Sequence, residues 1–252
     1  MKPIDYYDET ANTEERSFLF DRERKSTNII MNYIHSNDMK SFNLLDIGCG
    51  DGYYLYCLSR DLSEKCTLHG IDYSEFQLER AKKKLSEATF KYVNLEDGIP
   101  YDDISFDVVY AGELIEHLYN PDAFVREVYR ILKNNGIFVV STPNLNSWLS
   151  RLVFPLGVYP IFYETSTEDS RFGYGFLKTI KKQSLPVGHI RVMNVDAIKS
   201  LLNKNCFHDI DIKGCAFERY SGILGFLDKL FTIRPTLSSG LVVYAKKVAC
   251  FF

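Results

Sequence analysis

No C-x-x-C pair occurs among the six cysteines of this 252-residue chain, which argues against a structural zinc site of the paired-cysteine kind. Cys49, Cys57, Cys66, Cys206, Cys215 and Cys250 sit mostly in apolar runs. There cysteine behaves as a small hydrophobe, which fits a reducing, cytoplasmic setting. Long apolar runs are also missing. The longest, Leu152 to Phe162, contains Pro155 and Pro160 and is too short to span a bilayer. No basic stripe interleaved with aromatics stands out, and the net charge is −3, so nucleic acid is not the expected partner. Lys82-Lys83-Lys84 lies in a helical pattern and reads as a solvated face. The acids Asp5, Asp8, Glu9, Glu14 and Glu15 near the start are foreign to a secretory leader.

What is present is an alternation of strand and helix patterns. Strands are expected at 43–47, 66–71, 89–93, 106–111 and 136–141, with helices at 53–60, 74–86 and 121–132. A further helix over 13–36 precedes them, giving an N-terminal helical lid within residues 1–40. Ser74 is the expected N-cap of its helix, with Gln77 completing a capping box, and Asn120 caps a helix that starts at Pro121. After residue 190 the alternation resumes with a helix at 194–203, a strand at 207–212, a short helix at 222–231 and a last strand at 241–245. This pattern implies one α/β domain over residues 1–252, a Rossmann-like three-layer sandwich around a mostly parallel seven-stranded sheet with an antiparallel last strand. Between 142 and 190 the alternation stops. Trp148, Phe154, Tyr159, Phe162, Tyr163, Phe172, Tyr174 and Phe176 crowd that stretch. It reads as an aromatic-rich substrate cap inserted after strand five, with most of its rings forming the cap's own core.

The chemistry concentrates at strand ends. Asn43-Leu44-Leu45-Asp46-Ile47-Gly48-Cys49-Gly50-Asp51-Gly52 is a strand that runs into a glycine turn, whose N–H groups are expected to face a ligand. A second strand ends at Asp72, an acid placed to accept both hydroxyls of a ribose. In a dinucleotide fingerprint the third glycine would stand where this chain has Tyr53; Gly52 comes one residue early. The rival readings are an NAD(P)-dependent oxidoreductase or epimerase and a non-catalytic cofactor-binding module. Asp46 before the turn would repel phosphates but welcome an ammonium group.

These residues resemble the class I S-adenosylmethionine-dependent methyltransferases, in the small-molecule group that includes the ubiquinone O-methyltransferases. The resemblance runs from about Leu44 to Asn144. It rests on the 44–52 turn, Gly70-Ile71-Asp72-Tyr73-Ser74, Ser105-Phe106-Asp107-Val108-Val109, Glu116-His117-Leu118-Tyr119-Asn120-Pro121, Arg130-Ile131-Leu132-Lys133-Asn134-Asn135-Gly136 and Ser141-Thr142-Pro143-Asn144. It implies S-adenosylmethionine as cofactor. Gly48, Cys49, Gly50 and Gly52 would lie under its methionine and ribose. Asp46 would orient the amino group and Asp72 hold the ribose. Tyr73 would pack on the adenine, and Asn94 and Leu95 would meet its edge. Family members usually carry Asp where this chain has Asn94, whose amide oxygen can still accept a hydrogen bond. Glu113 joins the cofactor set.

Glu113-Leu114-Ile115-Glu116-His117 is compatible with a divalent cation, because Glu113 and Glu116 share a face if the segment is helical. The competing expectation is that Glu116 and His117 orient the loop after strand four. His117 and His189 are the candidate general bases, with Glu116 as orienting partner or alternative base. Asp/Asn-Pro-Pro-Tyr, the signature of amino-nucleobase methylation, is absent; Ala111-Gly112-Glu113-Leu114 stands in its place. The expected reaction is methyl transfer to an oxygen of a small-molecule acceptor that is hydrophobic or glycan-linked. Trp148, Leu149 and the 152–162 run are a candidate contact with a membrane surface.

Overall fold

The computed structural model describes residues 19–62, 65–179 and 184–248. The chain forms α1 (Asp21–Ser36), β1 (Phe42–Ile47), α2 (Tyr53–Ser59), β2 (Cys66–Asp72), α3 (Glu75–Lys84), β3 (Thr89–Tyr92), β4 (Phe106–Gly112), α4 (Pro121–Ile131), β5 (Leu132–Pro143), α5 (Trp148–Val153), α6 (Val195–Lys204), β6 (Phe207–Cys215), α7 (Gly222–Phe231) and β7 (Gly240–Lys247). One sheet of order β3-β2-β1-β4-β5-β7-β6 results. Strands β1 to β5 pair in parallel, and β7 is antiparallel to both neighbours. The expected architecture is therefore the observed one. The part of the 13–36 helix before residue 19 lies outside the described residues. β5 and β6 run longer than expected, because their ends keep pairing with β7 as far as Pro143↔Gly240 and Cys215↔Gly240.

Alternating apolar side chains bury both faces of the sheet, as a covered parallel sheet requires. Leu45, Val109 and Phe138 point into one core with Phe124, Val125 and Val128 of α4. Their neighbours Leu44, Val108 and Val139 point into the other, with Ile30 of α1, Leu55 of α2 and Leu78 of α3. The caps behave as side-chain chemistry dictates: Asn120 accepts from Ala123 N at 3.0 Å and Ser74 from Gln77 N at 3.1 Å. The Ser74–Gln77 capping box is only half formed, because Ser74 N donates to Asp72 Oδ1 (2.9 Å). The chain winds outward from β1 in one direction and from β4 in the other, so the crevice between their carboxyl ends is the natural ligand position.

Beyond β5 the expected cap is tied down at its root. Asn144 Nδ2 donates to the carbonyls of Pro235 and Ser238, and Trp148 N to Leu237 O. Only Trp148, Phe162 and Tyr174 of the eight aromatics are buried. Phe154, Tyr159, Tyr163, Phe172 and Phe176 are exposed, which corrects the expectation of a ring-filled cap core. Cys49, Cys57, Cys66 and Cys215 are free thiols.

Asp228 of α7 is completely buried and accepts from Trp148 Nε1 (2.7 Å), Phe217 N (2.6 Å) and Ser239 Oγ (2.5 Å). Asp228→Ala leaves three buried donors without an acceptor. It is expected to cost about 3 kcal/mol, read as a melting midpoint lower by roughly 6–12 °C.

Candidate active site

The glycine turn differs from the expectation in one respect that matters chemically. Gly48, Gly50 and Gly52 all adopt positive φ (77°, 51° and 70°), the region glycine enters without a Cβ penalty. A Cβ on Gly52 would lie 2.9 Å from that of Ala81, whereas one on Gly50 would meet nothing within 4 Å. Yet four N–H groups of the turn are already used. Gly48 N and Cys49 N donate to Ile71 O (2.8 and 3.1 Å), Gly52 N to Cys49 O (3.0 Å), and Gly50 N to Asp72 Oδ2 (2.8 Å). The turn thus presents a bare contact surface rather than the cradle of N–H donors that a pyrophosphate needs.

Two acids flank it. Asp46 is buried, and among the described residues no donor or cation meets its carboxylate; burial, then Asp72 and Glu23, raise its pKa well above the usual range. Asp72 lies at the end of β2 and holds Gly50 N and Ser74 N with its two oxygens. Cys49 lies buried beneath the turn, its thiol pKa raised by burial and the nearby acids. Tyr73 is half-exposed and leans on Tyr92, ring centroids 5.4 Å apart. Asn94 Oδ1 accepts from Glu96 N (3.2 Å), so it caps the 3-10 turn Leu95–Asp97.

After β4 the segment Glu113-Leu114-Ile115-Glu116-His117 is not a helix with two carboxylates on one face. Glu113 has φ of 52°, and only Ile115–His117 form a 3-10 turn. Glu113 Oε1 accepts from Ser141 Oγ (3.1 Å) and faces Arg22 Nε at 3.8 Å. Glu116 points elsewhere and is completely buried. Its Oε2 accepts from Thr142 Oγ1 (3.1 Å), while Oε1 has no hydrogen-bond partner. Burial and then Glu113 raise its pKa well above normal. His117 Nε2 lies 3.9 Å from Glu116 Oε1, and the His117 and His189 rings are 5.0 Å apart.

Both imidazoles are oriented by backbone carbonyls. His117 Nδ1 bonds Gly188 O (3.0 Å) and His189 Nδ1 bonds Phe162 O (2.9 Å). A carbonyl only accepts, so each Nδ1 carries the proton and each Nε2 keeps its lone pair. Burial, then His189, lower the His117 pKa to about 4. Glu116, His117 and His189 each offer one ligand atom, all within 4.8 Å of one another. The cation-compatible set therefore contains His189 and lacks Glu113, which corrects the set Glu113, Glu116 and His117 expected from sequence.

Several residues of this crevice carry no sequence signal. Glu164 accepts from Val187, Gly188 and His189 N at 2.9 to 3.2 Å, fixing the His189 loop. Arg22 of α1 is bonded to Glu218 Oε2 (2.9 Å) and faces Glu113. Glu23, also on α1, is buried close enough to raise the pKa of Asp46.

A methyltransferase-domain family model matches residues 38–206. The chain belongs to the class I S-adenosylmethionine-dependent methyltransferases. Among curated relatives, a probable S-adenosylmethionine-dependent methyltransferase of Mycolicibacterium smegmatis is 34% identical over 102 residues, 40% of this chain and 38% of that protein. The ubiquinone biosynthesis O-methyltransferase of Pelagibacter ubique is 35% identical over 135 residues, 51% of this chain and 54% of that protein. The matched stretch thus spans only about half or less of these relatives. Among solved structures, phosphoethanolamine N-methyltransferase 2 of Haemonchus contortus, bound to S-adenosyl-L-methionine, gives a TM-score of 0.64 at 17% identity over 99% of this chain and 60% of that one. A methyltransferase of Aquifex aeolicus gives 0.58 at 18% identity over 98% and 100%. These two show the shared fold. Arg22 links α1 to Glu113 after β4 and to Glu218 after β6.

Burial works against the Arg22 charge, but Glu113 and Glu218 more than offset it and hold its pKa above normal. Burial raises the pKa of Glu218, and Arg22 pulls it back. Arg22→Met leaves these carboxylates without their cation, a loss of about 3 kcal/mol or more at neutral pH. With the cation gone, burial holds the folded-state pKa of Glu218 still further above the unfolded one, so stability is lost as pH rises and regained as it falls. Urea midpoints of variant and parent are expected to converge between about pH 8 and pH 5.

Proposed function

We propose that this chain transfers the methyl group of S-adenosylmethionine to an oxygen of a small-molecule acceptor that is hydrophobic or glycan-linked. The observation that carries the cofactor reading is a turn whose Gly48, Cys49, Gly50 and Gly52 N–H groups are spent internally, beside a buried Asp46 that meets no cation among the described residues. A pyrophosphate would find neither donors nor welcome there. A cofactor with an ammonium group and no phosphate fits. In this reading Asp46 takes the ammonium, and Gly48, Cys49, Gly50 and Gly52 lie under the methionine and ribose. Asp72 accepts from the ribose hydroxyls, Tyr73 packs on the adenine, and Asn94 and Leu95 meet its edge. Glu113 completes the wall from the β4 side.

The sulfonium already activates the methyl group, so the protein's work is positioning and water exclusion. The acceptor oxygen attacks the methyl carbon, the S–C bond breaks as the O–C bond forms, and the hydroxyl proton moves to an imidazole Nε2. The base role falls to His189. Burial holds His117 at about 4, too weak to take a proton well near neutrality. His117 and Glu116 then position the acceptor.

A second reading has its own support. The unpartnered Glu116 Oε1 converges with the two histidines, a donor set that suits a cation accepting imidazole, such as zinc or cobalt, better than magnesium. Bound there, such a cation would act as a Lewis acid on the acceptor oxygen.

Calorimetric titration is expected to show S-adenosylhomocysteine binding with NADH inert. Burial, Asp72 and Glu23 raise the Asp46 pKa and an ammonium beside it would lower it, so binding is expected to release protons and to tighten as pH rises. Binding of NADH alone would overturn the cofactor reading. His189→Ala is expected to lower kcat about 100-fold or more while leaving S-adenosylhomocysteine affinity unchanged. Cobalt(II) titration of the parent protein separates base from ligand. Visible d–d bands that vanish in His189→Ala support the cation reading, and a flat spectrum removes it.

A further inference from the structure

Helix α7 turns a wholly apolar stripe to solvent. Ile223, Phe226, Leu230 and Ile233 follow one another at helical spacing over the helix and its first C-terminal turn, and all are exposed, Ile223 at 79%, Phe226 at 69% and Ile233 at 77%. Scattered exposed apolar residues need no explanation, but a continuous stripe does. The inner side of α7 is fully occupied: Phe231 stacks on Trp148 of α5 (centroids 5.1 Å) and Asp228 holds the Trp148 indole N–H. α5 and the 3-10 turn after it add exposed Leu152 and Phe154. Arg151 Nη2 ties α5 to Thr236 O at 2.9 Å. The two apolar elements are thus one braced unit.

The charge pattern says what covers it. The chain as a whole is acidic, net −3, yet between Arg219 and Gly240 the sole acid is Asp228, which is buried. Lys229 and Arg234 flank the stripe, both exposed, and neither meets an acid among the described residues. No acid occurs between Leu145 and Tyr163 either. An apolar stripe with a basic border and no exposed acid matches an anionic lipid surface, where the side chains enter the headgroup boundary and the cations meet lipid phosphates. The expected contact at Trp148 is corrected here, since Trp148 faces inward as the brace.

We propose that α7 docks this protein on an anionic bilayer surface. Next to the platform lies a cavity of about 480 Å³ lined by Phe154, Tyr159, Tyr163 and Arg151 among others. Tyr163 adjoins Phe162, whose carbonyl fixes His189. A membrane-borne acceptor would place its apolar part in this cavity. That clause rests on the methyl-transfer reading; the docking itself does not.

Co-flotation of the full chain with phosphatidylcholine vesicles, with and without about one third phosphatidylglycerol, tests it. The parent is expected to float with the anionic vesicles and far less with the neutral ones. Phe226→Glu with Ile233→Glu should reduce the floating fraction at least tenfold. Lys229→Glu should reduce it about fivefold, and on anionic vesicles alone. These positions are exposed, so thermal melting and S-adenosylhomocysteine affinity should not change. That titration reads the cofactor site separately, so loss of flotation and loss of the functional reading are distinguishable. A parent that stays with the soluble fraction overturns the docking, as does equal flotation of the Glu variants. So does a parent dimer in sedimentation that Phe226→Glu dissociates without any vesicle binding, because a second copy then covers the stripe.

Discussion

The Asp72 carboxylate holds the cofactor crevice together. One oxygen takes Gly50 N from the glycine turn and the other takes Ser74 N at the start of α3. The glycine turn and the start of α3 are thereby clamped by one side chain. Charge-assisted bonds from backbone N–H groups are among the stronger hydrogen bonds available. Without the clamp, three left-handed glycines in five residues would sample many conformations, since glycine loses the most backbone entropy on ordering. The clamp also takes a turn donor away from any incoming phosphate. What looks like a nucleotide loop is therefore a rigid floor.

The floor needs a wall, and α1 supplies it with charge rather than apolar bulk. Arg22 lies between Glu113 and Glu218, and Glu23 is buried beside the Asp46 region. Removing so many charged groups from water is expensive unless they compensate one another. Arg22 does so for Glu113 and Glu218. Asp46 has no such partner among the described residues, and in the proposed reading it is the acid that an incoming ammonium meets. The same low-dielectric surroundings strengthen that contact once it forms.

The strands and the glycine turn were legible because period-2 runs, capping residues and glycine spacing are local signals. Asp46, Asp72 and the Ser74 and Asn120 caps followed from them. Arg22, Glu164 and Glu218 were not legible. A charged residue in an amphipathic helix or a loop reads as solvent-facing, and its burial is decided by elements far away in the chain. Hydrogen bonds also escape a sequence reading. The turn's N–H groups were expected to face a ligand, but Ile71 O, Cys49 O and Asp72 accept them. Glu113 and Glu116 part company because a left-handed Glu113 breaks the helix their spacing assumed. The exposed rings of 154–176 mislead for a related reason, since aromatic content reports apolar surface without saying what covers it.

The histidine pair shows how one geometry supports two chemistries. Each Nδ1 is committed to a carbonyl, Gly188 O or Phe162 O, so the tautomer is set before any ligand arrives. Burial keeps His117 neutral and raises the pKa of Glu116, leaving this part of the crevice close to uncharged. Attack on a sulfonium with proton transfer to an imidazole spreads one positive charge from the sulfur to the imidazole as it proceeds. A dry, uncharged pocket opposes such a transition state less than water does. A cation in the same place would have to ionise Glu116 first and would then lower the basicity of the acceptor oxygen. The two readings thus make opposite use of one buried carboxyl, and the protonation state of Glu116 in the loaded enzyme divides them.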